Sequence, residues 1–135
     1  MLRIRHIDHL VLRVTNLRAM MDFYGGVLGC PVEKVQPDLG LYQLRAGSAL
    51  IDLVPVDGKL GAQGGAAPGI EGRNVDHFCL RVEPFDADAI IAHLRASGAD
   101  PSPVASRYGA GGQGPSIYVA DPEGNVVELK GPSDP

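Results

Sequence analysis

The chain repeats itself, and this repeat constrains the fold more than any other feature of the sequence. Residues 8–14 (DHLVLRV) match residues 76–82 (DHFCLRV), with Asp, His, Leu, Arg and Val identical. A second match aligns residues 42–53 (YQLRAGSALIDL) with residues 118–129 (YVADPEGNVVEL). Because the two matches occur in the same order in both halves, they predict two equivalent modules.

Local patterning predicts how each module begins. Residues 7–14 and 75–82 alternate polar and apolar side chains, as half-buried strands do. After the first strand, apolar residues recur at helical spacing over 17–28. A second helix is expected to start at Asp86 and to end at Gly98. Each half is thus predicted to run strand, helix and then several strands.

This order predicts an α+β fold of two βαβββ modules whose mixed sheets curve around a shared cleft. We expect module one at 1–56, a glycine-rich connector at 57–73 and module two at 74–131, within a single domain of 135 residues. A second glycine-rich loop, 108–114, precedes the last hairpin. Both loops are expected to border the substrate pocket, either as mobile lids or as plain linkers.

Composition excludes several classes of partner. Twelve Lys and Arg against sixteen Asp and Glu give a net charge of −4, so nucleic acid is not an expected partner. No stretch approaches the roughly 18 apolar residues of a membrane span, and no apolar signal-peptide core follows the N-terminus. Two cysteines, Cys30 and Cys79, make no disulfide framework, so both are expected to be packing residues in a cytoplasmic protein.

The repeat also indicates where chemistry would occur. If the modules are equivalent, His9 and His77 occupy matching positions, as do Asp52 and Glu128. On each first strand, the histidine lies opposite the apolar face that a helix must cover, so it would face the cleft. Imidazole suits Zn, Ni, Co or Fe, and carboxylates also admit Mn and Mg, so the four donors suit a divalent ion without choosing one.

Each of these residues also has an ordinary structural explanation. A lone histidine on a strand is more often a surface or hydrogen-bonded residue than a ligand. Asp52 lies among apolar strand residues, where an unpaired carboxylate is costly to bury, so a salt bridge to Arg13 or Arg81 is the alternative. Glu128, taken alone, fits an outward-facing strand residue. Two equivalent pairs favour the metal interpretation.

Three motifs resemble the vicinal oxygen chelate superfamily. They are residues 7–12 (IDHLVL), 22–29 (DFYGGVLG) and 121–129 (DPEGNVVEL). The superfamily contains glyoxalase I, fosfomycin-resistance thiol transferases, methylmalonyl-CoA epimerases, extradiol dioxygenases and bleomycin-binding proteins. The resemblance covers essentially the whole chain. It implies paired βαβββ modules around one metal, and a homodimer with sites at the subunit interface for a chain of this length.

The resemblance also assigns residues. It implies that His9, Asp52, His77 and Glu128 match the four family ligands of one divalent ion, which would be Zn, Ni, Co, Mn or Fe. It implies that the metal binds a substrate through adjacent oxygens and stabilises the anion formed there. Glu128 matches by position the catalytic base of glyoxalase I. Arg13 matches the arginine of glyoxalase I that contacts the glutathione carboxylate.

The leading expectation is a metal-dependent lyase or isomerase of the glyoxalase I type. Glyoxalase I usually carries Glu or Gln at the position of Asp52, whose side chain is one methylene shorter. A three-ligand site of His9, His77 and Glu128 would instead fit an extradiol-type dioxygenase or a thiol transferase. The alternative from another class is a metal-free binding protein of the bleomycin-sequestering kind.

Substrate recognition is only partly indicated by the sequence. The residues after Asp52 (LVPVDG) lack the Thr and Asn that follow the acidic ligand in glutathione-using members, so glutathione is not assigned as the co-substrate. Arg13 and three side chains at the second loop are the candidates for contact with a small polar substrate. These three are Arg107, which directly precedes the loop, and Tyr108 and Gln113 within it.

Overall fold

The computed structural model describes residues 1–134 and divides the chain into two compact units. The first unit is Met1–Asn74, and the second begins at Val75. Each unit contains one four-stranded sheet. Within residues 1–134, none of the helices has the length and apolar character needed to cross a membrane.

The first unit has the predicted order of one strand, one helix and three strands. Its sheet has the strand order β1-β4-β3-β2, in which β1 is parallel to β4 and the other neighbours are antiparallel. The elements are β1 (His9–Val14), α1 (Leu17–Met21), β2 (Val32–Gln36), β3 (Leu41–Ala46) and β4 (Ala49–Pro55).

The second unit repeats this arrangement. Its strand order is β5-β8-β7-β6, and again the first and last strands are parallel while the others are antiparallel. The elements are β5 (Phe78–Arg81), α2 (Ala87–Ala96), β6 (Ala105–Gly109), β7 (Gly112–Ala120) and β8 (Val126–Lys130). The predicted fold of two βαβββ modules is confirmed.

The helical segment predicted over 17–28 starts and ends where its capping residues predict. The side chain of Asn16 accepts a hydrogen bond from the first turn, and Gly29 takes the left-handed conformation, with φ of +76°, just after the end. The second half, Asp22–Val27, is π-helical rather than α-helical. This turn contains two adjacent glycines, and glycine has a low propensity for the regular α-helix.

The turn between β7 and β8 forms as its sequence predicts. One oxygen of Asp121 accepts hydrogen bonds from the backbone N–H groups of Glu123 (2.9 Å) and Asn125 (3.0 Å), and the other accepts from the Asn125 side chain (2.8 Å). Gly124 supplies the positive φ, +85°, that the turn requires. Asp121 therefore organises the return of the chain into β8.

Each sheet has an apolar face and a polar face. In β1, Leu12 and Val14 are fully buried, whereas Val11 between them is 46% exposed. In β8, Val127 and Leu129 alternate with two polar residues, which are also buried. The largest fully buried side chains are Tyr24, Leu12, Met20, Leu44, Ile51, Leu53, Leu94 and Ile117.

The second glycine-rich segment differs from its prediction. Residues 108–114 were expected to form a loop before the last hairpin, but they belong to β6 and β7 and to the two-residue turn between them. Gly112, with φ of +107°, allows that tight turn. Glycine here serves a β-hairpin instead of a mobile lid.

The first glycine-rich segment, the connector, is fastened to β1. The Arg13 guanidinium donates to the carbonyls of Gly61 (Nε at 3.1 Å and Nη2 at 2.8 Å), Gly65 (Nη2, 2.8 Å) and Ala66 (Nη1, 2.9 Å). The Asn74 side chain bonds both backbone groups of Arg13, each at 3.0 Å. One side chain thus holds much of a segment that has little apolar content of its own.

Replacement of neighbouring β1 residues tests this assignment of faces. Leu12→Ala removes a fully buried side chain and should lower the free energy of unfolding by about 2–5 kcal/mol. Val11→Ala, the matched control on the polar face, should cost less than about 1 kcal/mol. Chemical denaturation of both variants gives the comparison, and equal losses would contradict the assignment.

Candidate functional site

The first unit brings His9 and Asp52 together. Val11 pairs with Asp52 in the parallel β1–β4 ladder, so His9, two residues earlier, lies on the same face of the sheet as Asp52. The distance from His9 Nε2 to Asp52 Oδ2 is 4.0 Å. The other ring nitrogen, Nδ1, lies 2.7 Å from Oδ1 of Asp8.

The second unit repeats this geometry with His77 and Glu128. Cys79 pairs with Glu128 in the β5–β8 ladder, and His77 again lies two residues before the paired position. The distance from His77 Nε2 to Glu128 Oε1 is 3.5 Å. His77 Nδ1 lies 2.6 Å from Oδ1 of Asp76. The register therefore gives the two pairs equivalent positions in their sheets.

Both pairs have donor chemistry that fits a divalent ion. An aspartate bonded to Nδ1 fixes the imidazole orientation and presents Nε2, as outer-shell carboxylates do in metal sites. The carboxylates of Asp52 and Glu128 are 4% and 7% exposed, so each would gain from a bound cation. Within residues 1–134, His, Cys, Asp and Glu side chains gather in no group of three or more that could hold a metal.

The two arginines considered as salt-bridge partners for Asp52 are bonded elsewhere within their own units. Both arginines have other partners, since Arg13 is bonded to the connector and Arg81 donates to Glu83 at 3.0 Å. The Asp52 carboxylate instead accepts from the Gln43 side-chain amide, at 3.2 and 3.3 Å. A neutral amide leaves the charge of Asp52 uncompensated apart from the nearby imidazole.

The residue across the ladder differs between the two pairs. Gln43 lies opposite Asp52, whereas Tyr118 lies opposite Glu128. The ungapped repeat alignment matches Tyr118 with Tyr42, and so it missed Gln43. The reason is the longer turn before β8, because Glu128 follows its partner by ten positions and Asp52 follows its partner by nine.

Arg107, one of the three predicted substrate-binding residues at the second loop, lies close to the second pair. Its Cζ lies 4.4 Å from the centre of the Tyr118 ring, a cation–π contact, and that ring packs edge-on against His77 at 5.5 Å. Nη1 of Arg107 donates to both Oγ (2.7 Å) and O (3.0 Å) of Ser116. The guanidinium is thereby held in one place.

The other two predicted residues lie elsewhere on the β6–β7 hairpin. Tyr108 and Gln113 pair across it, one position away from Arg107, so they belong to the opposite face. Tyr108 is 81% exposed, and the Gln113 amide donates to Ser106 Oγ at 3.0 Å. The structure does not place these two beside the His77–Glu128 pair, and their contact with a substrate stays a prediction.

Cys79 differs from the packing role predicted for it. The thiol is exposed and sits directly opposite Glu128, whereas Cys30 is buried as expected. Partial desolvation, helped by the charge of Glu128, raises the pKa of Cys79 to about 11. Partial burial and then the charge of Glu128 also raise the pKa of Tyr118. Both groups are therefore protonated at neutral pH.

His9 has a perturbed pKa with an identifiable cause. The hydrogen bond to Asp8 and then the charge of Asp52 raise the pKa of His9 above its usual 6.5. Protonated His9 thus stabilises the fold below about pH 6.5, and this contribution is lost as pH rises through the folded-state pKa.

An NMR titration of the metal-free protein tests the His9 geometry. Asp8→Asn should lower the pKa of His9, because the main partner of the protonated ring loses its charge. Asp22→Asn, in the π-helical turn, is the control and should leave the His9 titration unchanged. A His9 pKa that is the same in the wild type and in Asp8→Asn would contradict the assigned contact.

Paired βαβββ modules with a histidine and a carboxylate on equivalent strands define a class of small-molecule-binding proteins. A family model for the Glyoxalase/Bleomycin resistance protein/Dioxygenase superfamily matches residues 6–129. The chain therefore belongs to this superfamily, as its motifs indicated. Members bind small molecules, commonly use a divalent metal and often form dimers.

Solved structures of similar fold carry diverse names. A virulence protein from Salmonella typhimurium is 25% identical, with a TM-score of 0.79, over 97% of this chain and 99% of that one. A lactoylglutathione lyase from Agrobacterium tumefaciens is 20% identical, with a TM-score of 0.66, over 93% and 92%. An antibiotic-binding protein from a Streptomyces species is 23% identical, with a TM-score of 0.66, over 98% and 100%. The last two similarities concern the fold alone.

Proposed function

We propose that the protein is a divalent-metal-dependent enzyme, a lyase or isomerase of the glyoxalase I type. His9, Asp52, His77 and Glu128 are the proposed ligands, with one Zn, Ni, Co, Mn or Fe ion per site. The observation that carries the proposal is the equivalence of the two pairs. In both, an aspartate holds Nδ1 and the imidazole turns Nε2 toward a buried carboxylate.

The assembly of the site is part of the proposal. Each pair offers two donors, and a catalytic ion of this kind takes three or four protein ligands. We propose a cytoplasmic homodimer in which pairs from both chains complete each site at the subunit interface. The alternative is a site within one chain, in which the two pairs of a single domain of residues 1–135 bind the same ion.

Glu128 is proposed as the catalytic base. A metal ion held by these ligands would act as a Lewis acid that stabilises negative charge on the substrate oxygens. Glu128 is buried and faces His77 Nε2, so its carboxylate is held in a fixed place. An Oε atom would accept a proton from the hydroxyl-bearing carbon beside the substrate carbonyl and return it to the carbonyl carbon. With transfer of the hydroxyl proton to the former carbonyl oxygen, this would complete an isomerisation without net proton loss.

Metal binding gives the first test. The purified, reconstituted protein should hold a stoichiometric amount of a divalent ion, measured by elemental analysis and chelator competition. His77→Ala should weaken that binding by more than about 100-fold, because loss of a ligand should exceed the 10- to 100-fold cost of losing an outer-shell partner. His93→Ala, on α2, is the control, and metal binding that is insensitive to His77 would reject the proposed ligand set.

Turnover gives the second test. Glu128→Gln keeps a similar shape but cannot accept the proton, so turnover of a hemithioacetal should fall by about 100-fold or more while much of the metal remains. The assays use metal-reconstituted protein with metal content measured in each preparation. An active Glu128→Gln variant would overturn the role of base.

A different enzyme class has its own supporting observation. Asp52 lies 4.0 Å from His9 and is already bonded by Gln43. A three-ligand site of His9, His77 and Glu128 would suit an extradiol-type dioxygenase or a thiol transferase. A panel of a hemithioacetal, a catechol, fosfomycin with a thiol and a branched CoA ester separates these activities.

A metal-free binding protein is the second candidate function. The similarity in fold to an antibiotic-binding protein supports it. Stoichiometric metal that depends on His77 would reject this candidate. Tight antibiotic binding by a chain that takes up no metal would favour it over the enzyme.

A further inference from the structure

Lys130 is a buried cation that the proposed metal chemistry does not use. Its side chain is 4% exposed, and Nζ has no hydrogen-bond partner within residues 1–134. A buried ammonium group without a partner is costly, and each such group in a native fold needs an explanation, of which a bound ion is one. Lys130 therefore calls for a functional explanation.

The direction of this side chain follows from the sheet. Lys130 lies two residues after Glu128 in β8, so both lie on the same face. A Cβ atom placed on Gly109 would lie 2.9 Å from Lys130 Cε, and one placed on Gly114 would lie 2.9 Å from Nζ. The two glycines leave the space through which Lys130 extends across β7 toward β6.

A second cation lies on the same face of this sheet. Arg107 pairs with Gly114 in the β6–β7 ladder, so its side chain projects on the face that Lys130 Nζ reaches. Ser116 accepts two hydrogen bonds from Nη1, and the guanidinium makes a cation–π contact with the Tyr118 ring. In the part of the chain that the structure describes, the Nε and Nη2 atoms make no hydrogen bond, so two donor groups remain for a ligand.

We propose that Lys130 and Arg107 form an anion-binding site for a carboxylate group of the substrate. The guanidinium has planar donors that match a carboxylate, and the ammonium adds a point charge beside it. Tyr118 links this site to His77, so a small acid would reach from the cations toward the His77–Glu128 pair. That second contact rests on the proposed function, whereas binding of the carboxylate does not.

The experiment compares two acids that differ in one group. Malate and lactate share a hydroxyl and carboxylate on neighbouring carbons, and malate carries an additional carboxylate. Calorimetric titration in phosphate-free and sulfate-free buffer should show that the wild type binds malate about tenfold more tightly than lactate. Lys130→Met should abolish this preference, and Arg107→Gln should weaken it.

A matched control and a stability measurement separate binding from a structural role. Lys34→Met removes an exposed lysine of β2 and should leave the malate preference unchanged. Lys130→Met should raise the Tm of the ligand-free protein, because an unpartnered charge is removed, whereas a structural lysine would lower it. An unaltered malate preference in Lys130→Met, or a lowered Tm with no loss of that preference, would overturn the proposal.

Titrations of the metal-free and the metal-loaded protein distinguish this proposal from the proposed function. If the chain takes up no metal but malate binding depends on Lys130, the anion site stands and the enzyme proposal fails. If metal binding depends on His77 while malate and lactate bind equally to the wild type, the enzyme proposal stands and the anion site fails.

Discussion

Parallel pairing of the first and last strand in each unit is the interaction on which the rest of the structure depends. The β1–β4 and β5–β8 ladders set Val11 beside Asp52 and Cys79 beside Glu128. Since side chains alternate along a strand, the same register places a histidine on the face that carries the acid and sends Leu12 and Val14 to the other face. One hydrogen-bonding pattern thus fixes both the core and the candidate ligands.

The polar face of the second sheet holds more charge than a pair of ligands needs. Glu128, Lys130 and Arg107 share this face, supported by Ser116 and Tyr118. Buried charge of this kind lowers the stability of a fold unless a ligand or a partner compensates it. Buried apolar side chains on the opposite face, such as Ile117 and Val127, provide compensating stability.

The sequence predicted the fold well because its repeat shows the two modules and its capping residues mark where the helices and turns begin. The helix cap at Asn16 and the turn at Asp121 use local chemistry that a sequence displays. Gln43 and Lys130 were missed because their neighbours are set by strand register and by glycines far along the chain. A one-residue difference in turn length moves a cross-strand partner, and no local pattern records that change.

The hydrogen bonds of the Arg13 guanidinium limit the binding of an acid to this residue. Four hydrogen bonds commit this group to connector carbonyls. A carboxylate that took those donors would release the backbone they hold, so acid binding at Arg13 and an ordered connector exclude each other. By linkage, a change that stabilises the ordered connector lowers the affinity of Arg13 for that acid by the same factor. The connector carbonyls therefore compete with an acid for the Arg13 guanidinium.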